Sequence, residues 1–329
     1  MRILFAGSPE IAVPSLKALS GMETAGETAL AGILTNPDSR RGRSGNIEPT
    51  EVSEAAEALS SVRKEQGFPA IAQLKFEELN AQAREETASL KADLLVSFAY
   101  GRIFGPKFLS MFPGGGINIH PSLLPKYRGP TPIPAAILNR DNETGITIQS
   151  LAREMDAGSI LAQERISLNG RETTASLSGI AAAKAAEMLP ALIRSLLAGK
   201  VTAKPQTGEA VYCYLITKEQ GLLDWKKSAV EIDAQIRAYT PWPLSFTRLG
   251  NETLYILEGA VFEKEFPSVS PPDKLPGTVI GIDRDHGILI QTGEGVYAVS
   301  RLQWQAKKAL DWKAFYNGAR NFSGSVLGR

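Results

Sequence analysis

Residues 93–120 read DLLVSFAYGRIFGPKFLSMFPGGGINIH, and each end of this stretch is a strand. The run 93–99 is apolar and short, with β-branched and aromatic residues. The run 116–120 follows a glycine cluster and ends on Asn118 and His120. Working outward, residues 2–6 (RILFA) form a short buried strand stopped by Gly7-Ser8-Pro9. Pro9 is placed to open the next helix, with Ser8 as its cap. Residues 28–35 are another strand. Residues 50–66 are a helix, with Thr50 as N-cap and Glu51 and Glu54 in its first turn. Residues 145–150 and 159–167 are two further strands. Residues 174–198 have apolar positions at helical spacing and a Pro190 expected to kink them. Strands alternating with helices predict an α/β fold: a Rossmann-like, mostly parallel sheet with helices on both faces.

Residues 199–211 (GKVTAKPQTGEAV) lack periodicity and read as a linker. Beyond it the texture changes. TLYILEGAVF, GTVIGI, GILIQT and GVYAVSRLQW are short alternating runs separated by Gly, Asp and Pro, the pattern of a small antiparallel barrel. The expected division is therefore 1–204 and 212–329. Pro241-Trp242-Pro243 reads as a rigid packed corner rather than a binding aromatic.

Composition narrows the class. A chain of 329 residues is long enough for two domains. No apolar run approaches a membrane span, and MRILFAGSPE turns polar too soon for a signal peptide. The single Cys213 forms no internal disulfide, which fits a reducing cytoplasm. No Cys/His cluster has metal-ligand spacing, so no metal is expected. The net charge of +1 argues against a protein that coats nucleic acid but allows a local basic face. Gly7-Ser8-Pro9-Glu10 is not a dinucleotide fingerprint, which disfavours a dehydrogenase.

The chemistry concentrates in residues 116–134 (GINIHPSLLPKYRGPTPIP) and 155–160 (MDAGSI). Residues i and i+2 of a strand share a face, so Asn118 and His120 point the same way. Imidazole transfers protons near neutral pH, and a carboxamide donates to a developing oxyanion without competing for the proton. Asp156 supplies a carboxylate. Each alone has a plainer reading: a core histidine, a turn asparagine, a turn aspartate.

Taken together, Asn-x-His, SLLPKYRG and the later Asp-x-Gly-x-Ile resemble the signature of the 10-formyltetrahydrofolate-dependent formyltransferases. The opening MRILFAGSPEIAVPSL, the loop TNPDSRRGR, VSFAYGRI, PWP and FYNGARNFSGSVLG resemble the tRNA-acting branch of that family. The resemblance implies that Asn118, His120 and Asp156 are catalytic, with Asp156 raising the pKa of His120 and favouring its charged form. It implies a folate site lined by Ser122, Leu123, Leu124 and Pro125, with Ala99, Tyr100 and Gly101 as the opposite wall. It implies an OB-like second domain that binds tRNA and a contact from Arg43 to the tRNA. Read by itself, the loop at 37–49 is a basic surface loop. Lys126 and Arg128 read as solvated charges, and the balanced charges of the second domain do not say which of Lys226, Lys227, Arg237, Lys307, Lys308 and Lys313 share a face. The implied reaction moves a formyl group from 10-formyltetrahydrofolate, a co-substrate, to methionyl-initiator tRNA. No tightly bound cofactor, no membrane partner and a monomer are expected. A formyltransferase acting on an amino sugar nucleotide would share the catalytic trio without needing the basic loop.

Overall fold

The computed structural model describes residues 1–41, 45–263, 275–319 and 321–328. It divides into two compact units: Met1–Pro132 with Glu143–Ser167 and Ser178–Cys213, and Ile133–Asn142 with Leu168–Leu177 and Tyr214–Arg329.

The first unit follows the alternation in chain order. β1 (Arg2–Ala6) leads to α1 (Val13–Thr24), β2 (Ala29–Thr35) and a hairpin of β3 (Ser39–Arg41) and β4 (Asn46–Glu48). Then come α2 (Glu51–Glu65), β5 (Gln73–Lys75), α3 (Ala81–Ser89), β6 (Leu94–Phe98), α4 (Pro106–Leu109) and β7 (Gly116–His120). α5 (Pro132–Leu138), between β7 and β8 in the chain, is counted almost wholly with the second unit, while β8 (Glu143–Ser150), β9 (Ile160–Ser167) and most of α6 (Thr174–Leu197) complete this one. The seven-stranded sheet has the order β5-β2-β1-β6-β7-β8-β9. The pairs from β5 to β7 are parallel, and β8 and β9 add antiparallel strands at one edge. Leu4 and Ala6 belong to one core cluster. Ile3 and Phe5, which alternation turns to the opposite face, are also at most 1% exposed. The sheet is thus covered on both faces, as parallel sheets require.

Between β6 and β7 the chain is held by an aromatic ladder at four-residue spacing. Tyr100, Phe104 and Phe108 stack with ring centroids 5.3 and 5.4 Å apart, and Phe112 packs tilted on Phe108 at 5.7 Å. Each such pair contributes about 0.5–1.5 kcal/mol beyond burial of its area.

Two local expectations are corrected. Ser8 caps no helix: its Oγ accepts from the Asn36 N–H at 3.1 Å and from Thr35 Oγ1 at 3.3 Å. The turn Glu10–Ala12 intervenes, and α1 opens with a proline in its first positions. Residues 199–211 are not a free linker, because Lys204 bridges Ile160 and Val211 is bonded to Arg128 and Pro125. Thr50 does cap α2, accepting from Ser53 N at 3.2 Å. Pro190 lies inside α6 and does not end it, since the helix continues past it to Leu197.

The second unit holds α7 (Ala229–Ala238), β10 (Ser245–Leu249), β11 (Glu252–Val261), β12 (Val279–Asp283), β13 (Gly287–Gln291), β14 (Val296–Trp304), β15 (Leu310–Asp311) and α8 (Trp312–Gly318). The sheet order is β10-β11-β14-β13-β12, with β15 on β14 and every pair antiparallel. Trp225, Ile232, Ile256, Ile288, Tyr297 and Phe315 are central to its core. Trp242 was expected in a packed corner but is 53% exposed. Arg237 is withdrawn from any free basic face. It pairs with Asp233 and donates to the Glu172 carbonyl. Among the described residues no helix is long and apolar enough to cross a membrane.

Candidate active site

β1, β6 and β7 run parallel, so the loops that leave their C-terminal ends gather at one edge of the sheet. Such edges are where open α/β sheets bind ligands. β7 carries Asn118 and His120 to this edge on one face. The antiparallel β8 lies beside it and places Gln149 opposite Asn118 and Thr147 opposite His120. The turn after β8 returns Asp156 to the same place.

Asp156 is the hub. Its Oδ1 accepts from Gln149 Nε2 at 2.9 Å and lies 3.4 Å from Asn118 Nδ2. Its Oδ2 accepts from the Gly129 N–H at 2.9 Å and lies 3.5 Å from His120 Nδ1. The predicted trio therefore meets. Two glycines allow the approach. A Cβ at Gly129, where φ is +118°, would collide with the Cys213 carbonyl. A Cβ at Gly158 would collide with the Ser150 carbonyl. Asp156 itself is left-handed, with φ of 54°, a conformation Asp tolerates better than most residues.

His120 is 4% exposed. Its Nε2 is 2.8 Å from the Tyr127 carbonyl. A carbonyl only accepts, so Nε2 carries the proton in the neutral ring, and the Nδ1 lone pair faces Asp156. Asp156 pulls the ring's pKa upward, as expected, but the net shift is downward. Burial pushes it below the ordinary 6.5, and the Asp156 carboxylate and Tyr127 carbonyl oppose that shift without cancelling it. Desolvation outweighs one neighbouring charge because nearly all of the ring's water is removed.

The folate-loop residues divide. Ser122 is buried, donates to the Lys126 carbonyl at 2.5 Å, and its own carbonyl accepts from Thr147 Oγ1 at 2.7 Å. Leu124 is 3% exposed, and Leu123 packs against Gly145. Gln163 Nε2 reaches both the Leu124 carbonyl and Thr147 Oγ1. In the facing loop Ala99 and Gly101 are exposed while Tyr100 is 2% exposed. Burial pushes the Tyr100 phenol up to about 12. Ala99, Gly101, Leu123 and Pro125 are thus the accessible members. Ser122, Leu124 and Tyr100 brace the loops from behind. Arg43 lies outside the described residues.

Sequence reading missed Gln149, Thr147, Gln163, the Tyr127 carbonyl and Gln206. Only the strand positions carried a signal: Gln149 and Thr147 alternate with Ile146 and Ile148 in a strand beside Asn118 and His120. Arg128, read as a solvated charge, is 13% exposed and bonded to Gln206. Away from this edge, Asp283, Asp285 and His286 bring their ligand atoms within 4.8 Å of one another. There Asp283 Oδ1 accepts from two backbone N–H groups and meets His286 Nδ1 at 2.6 Å, which closes the β12–β13 turn.

The formyl transferase family model matches residues 1–193, and the formyl transferase C-terminal domain model matches residues 215–320. The methionyl-tRNA formyltransferase of Treponema denticola is 46% identical over 327 residues, 98% of each chain. That of Borrelia duttonii is 38% identical over 329 residues, covering 99% of this chain and 100% of its own. Among solved structures, the N-formyltransferase of Helicobacter canadensis in complex with folinic acid and dTDP-3-aminofucose has a TM-score of 0.62 at 18% identity. It covers 90% of this chain and 98% of its own. HypX of Aquifex aeolicus in complex with tetrahydrofolic acid has a TM-score of 0.63 at 15% identity over 99% of this chain, which spans about half (48%) of that one. The two structural likenesses concern the fold alone. Matches to both family models, and relatives of this identity along the whole length, establish that the chain belongs to the formyltransferase family, among the methionyl-tRNA formyltransferases.

Proposed function

We propose that this chain transfers the formyl group of 10-formyltetrahydrofolate to the α-amino group of methionyl-initiator tRNA, giving N-formylmethionyl-tRNA for translation initiation. The observation that carries the reading is the Asp156 carboxylate, held between Asn118, Gly129 and Gln149 and facing His120. A carboxamide, an imidazole and a carboxylate at one sheet edge suit acyl transfer between nitrogens.

The free amine attacks the formyl carbon, and the carbonyl oxygen becomes an oxyanion. One Asn118 N–H leans on Asp156, and the second donates to the oxyanion. The attacking nitrogen gives up one proton, through water, to the Asp156–His120 pair. The Nδ1 lone pair facing Oδ2 is the site that takes it. The resulting imidazolium lies beside the oxyanion and stabilises it. The pair returns the proton to N10 as the carbon–N10 bond breaks. An amide-level donor has a poor leaving group, so positioning supplies much of the rate.

In this reading Leu123, Pro125, Ala99 and Gly101 line the folate, with Ser122, Leu124 and Tyr100 supporting them. Residues 1–204 are the Rossmann-like catalytic domain. Residues 212–329, whose antiparallel sheet is assigned as an OB-like barrel, bind tRNA together with Arg43. The protein acts as a monomer in the cytoplasm.

The test is incubation with 10-formyltetrahydrofolate and methionyl-initiator tRNA, followed by detection of N-formylmethionine. Deacylated tRNA is the control. Formyl transfer to an amino sugar nucleotide, with none to methionyl-tRNA, would overturn the assignment.

A further inference from the structure

The two family models leave residues 194–214 between them. One side chain of that stretch is spent entirely on the site. Gln206 Nε2 lies 2.7 Å from the Asp156 carbonyl, 2.8 Å from the Gly158 carbonyl and 3.3 Å from Gln149 Oε1. Its Oε1 accepts from Arg128 Nε at 3.1 Å and Nη2 at 2.7 Å, the two-pronged geometry of a guanidinium. The network fixes which end is which, since carbonyls need a donor and a guanidinium needs an acceptor. The backbone around Gln206 is fastened as well. Lys204 and Ile160 exchange backbone bonds at 2.7 and 2.9 Å. Arg128 N donates to Val211 O, and Cys213 N donates to Arg128 O, both at 2.8 Å. Tyr212 donates to Glu154 at 3.0 Å and lies under the Arg128 guanidinium.

The two loops that Gln206 joins hold the two halves of the site. One carries Asp156 in its left-handed conformation. The other supplies the Tyr127 carbonyl that orients His120 and the Gly129 N–H that binds Asp156. We infer that Gln206 is a positioning residue for formyl transfer, fixing the Asp156 main chain directly and the Tyr127–Gly129 main chain through Arg128. It thereby sets the carboxylate against His120. The inference rests on the proposed catalytic role of Asp156. A displacement of about 1 Å at such a group costs on the order of a hundredfold in rate, with little loss of substrate binding.

The experiment compares full-length Gln206→Ala and Gln206→Glu, each with and without Asp156→Asn. Single-turnover and steady-state kinetics are measured with folate and methionyl-tRNA varied separately. Gln206→Ala should lower kcat by about tenfold to a hundredfold and leave both KM values within about threefold. Gln206→Glu keeps the Arg128 pair but loses the donor, and it should fall similarly. This second variant carries the comparison if Gln206→Ala fails to fold. In the Asp156→Asn background the Gln206 substitutions should have little further effect, since the group they position is gone. Full kcat in the Gln206 variants would overturn the inference. So would an equal fold-loss with and without the Asp156 carboxylate, which marks a purely structural role. Wild-type turnover by Asp156→Asn alone would overturn the catalytic assignment and the inference with it.

Discussion

His120 is pulled in two directions, and the balance is measurable. Burial depresses its pKa, while Asp156 and the Tyr127 carbonyl raise it. With a folded pKa below the ordinary 6.5, the unfolded chain takes up the proton first as pH falls. The ring's contribution to stability is therefore complete above that value and is lost as pH falls toward the folded pKa. The unfolding temperature of the wild type should drop more between about pH 6.5 and 5.5 than that of His120→Gln. Parallel curves would mean that the ring is not depressed. Asp156→Asn removes one upward pull, so His120 should titrate still lower by NMR, and an unchanged titration would mean that the two do not interact. For the chemistry, Asn118→Ala should slow transfer by at least about a hundredfold, as expected for a lost oxyanion donor, with folate affinity much less affected. Near wild-type turnover would remove Asn118 from the mechanism. The Asn-x-His spacing on a strand sufficed to pair Asn118 with His120. It did not disclose the sign of the His120 shift, because the ring's near-complete burial is a property of the folded packing that the spacing does not mark.

The strands that deliver these side chains were legible because β1, β2, β6 and β7 are compact apolar runs bounded by Gly, Pro or polar residues. What joins them was not. The aromatic ladder Tyr100, Phe104, Phe108, Phe112 has helical spacing, but only Pro106–Leu109 is helical there. Rings carried on short turns keep the same four-residue spacing as a helix, so the pattern does not tell the two apart. Residues 199–211 looked like a linker because Gln206 holds its partners through carbonyls, which no sequence marks. The loop 127–129 gives a direct test of this bracing. Gly129 sits at φ of +118° against the Cys213 carbonyl, and its N–H binds Asp156. Gly129→Ala should destabilise by about 1–3 kcal/mol from backbone strain alone. It should also lower kcat more than either KM, because the amide that holds Asp156 must move. Denaturant melts and kinetics on one preparation check both. A destabilised protein with unchanged kcat would detach this loop from the chemistry.

With a net charge of +1, this chain does not attract RNA by bulk electrostatics, so recognition has to come from a few placed cations. Of the candidates in the second unit, Arg237 is engaged with Asp233 and Glu172, while Lys226, Lys227, Lys307, Lys308 and Lys313 are exposed. Arg43 lies in a polar, glycine-containing stretch beyond the β3 strand. If it contacts a phosphate, Arg43→Ala should weaken methionyl-tRNA binding and make its salt dependence shallower by about one unit of log–log slope. Stability should stay within about 0.5 kcal/mol, as for a surface substitution. The KM for 10-formyltetrahydrofolate should be unchanged, since the loops assigned to folate follow β6 and β7. Formylation kinetics across a salt series, with the two substrates varied separately, distinguish these effects. Losing a phosphate contact weakens tRNA binding most at low salt and makes the log–log slope shallower. Losing a contact made to the methionyl group would lower affinity equally at every salt concentration and leave the slope intact. An unchanged tRNA KM at all salt concentrations would remove Arg43 from recognition and leave the exposed lysines of the second unit to supply the charge.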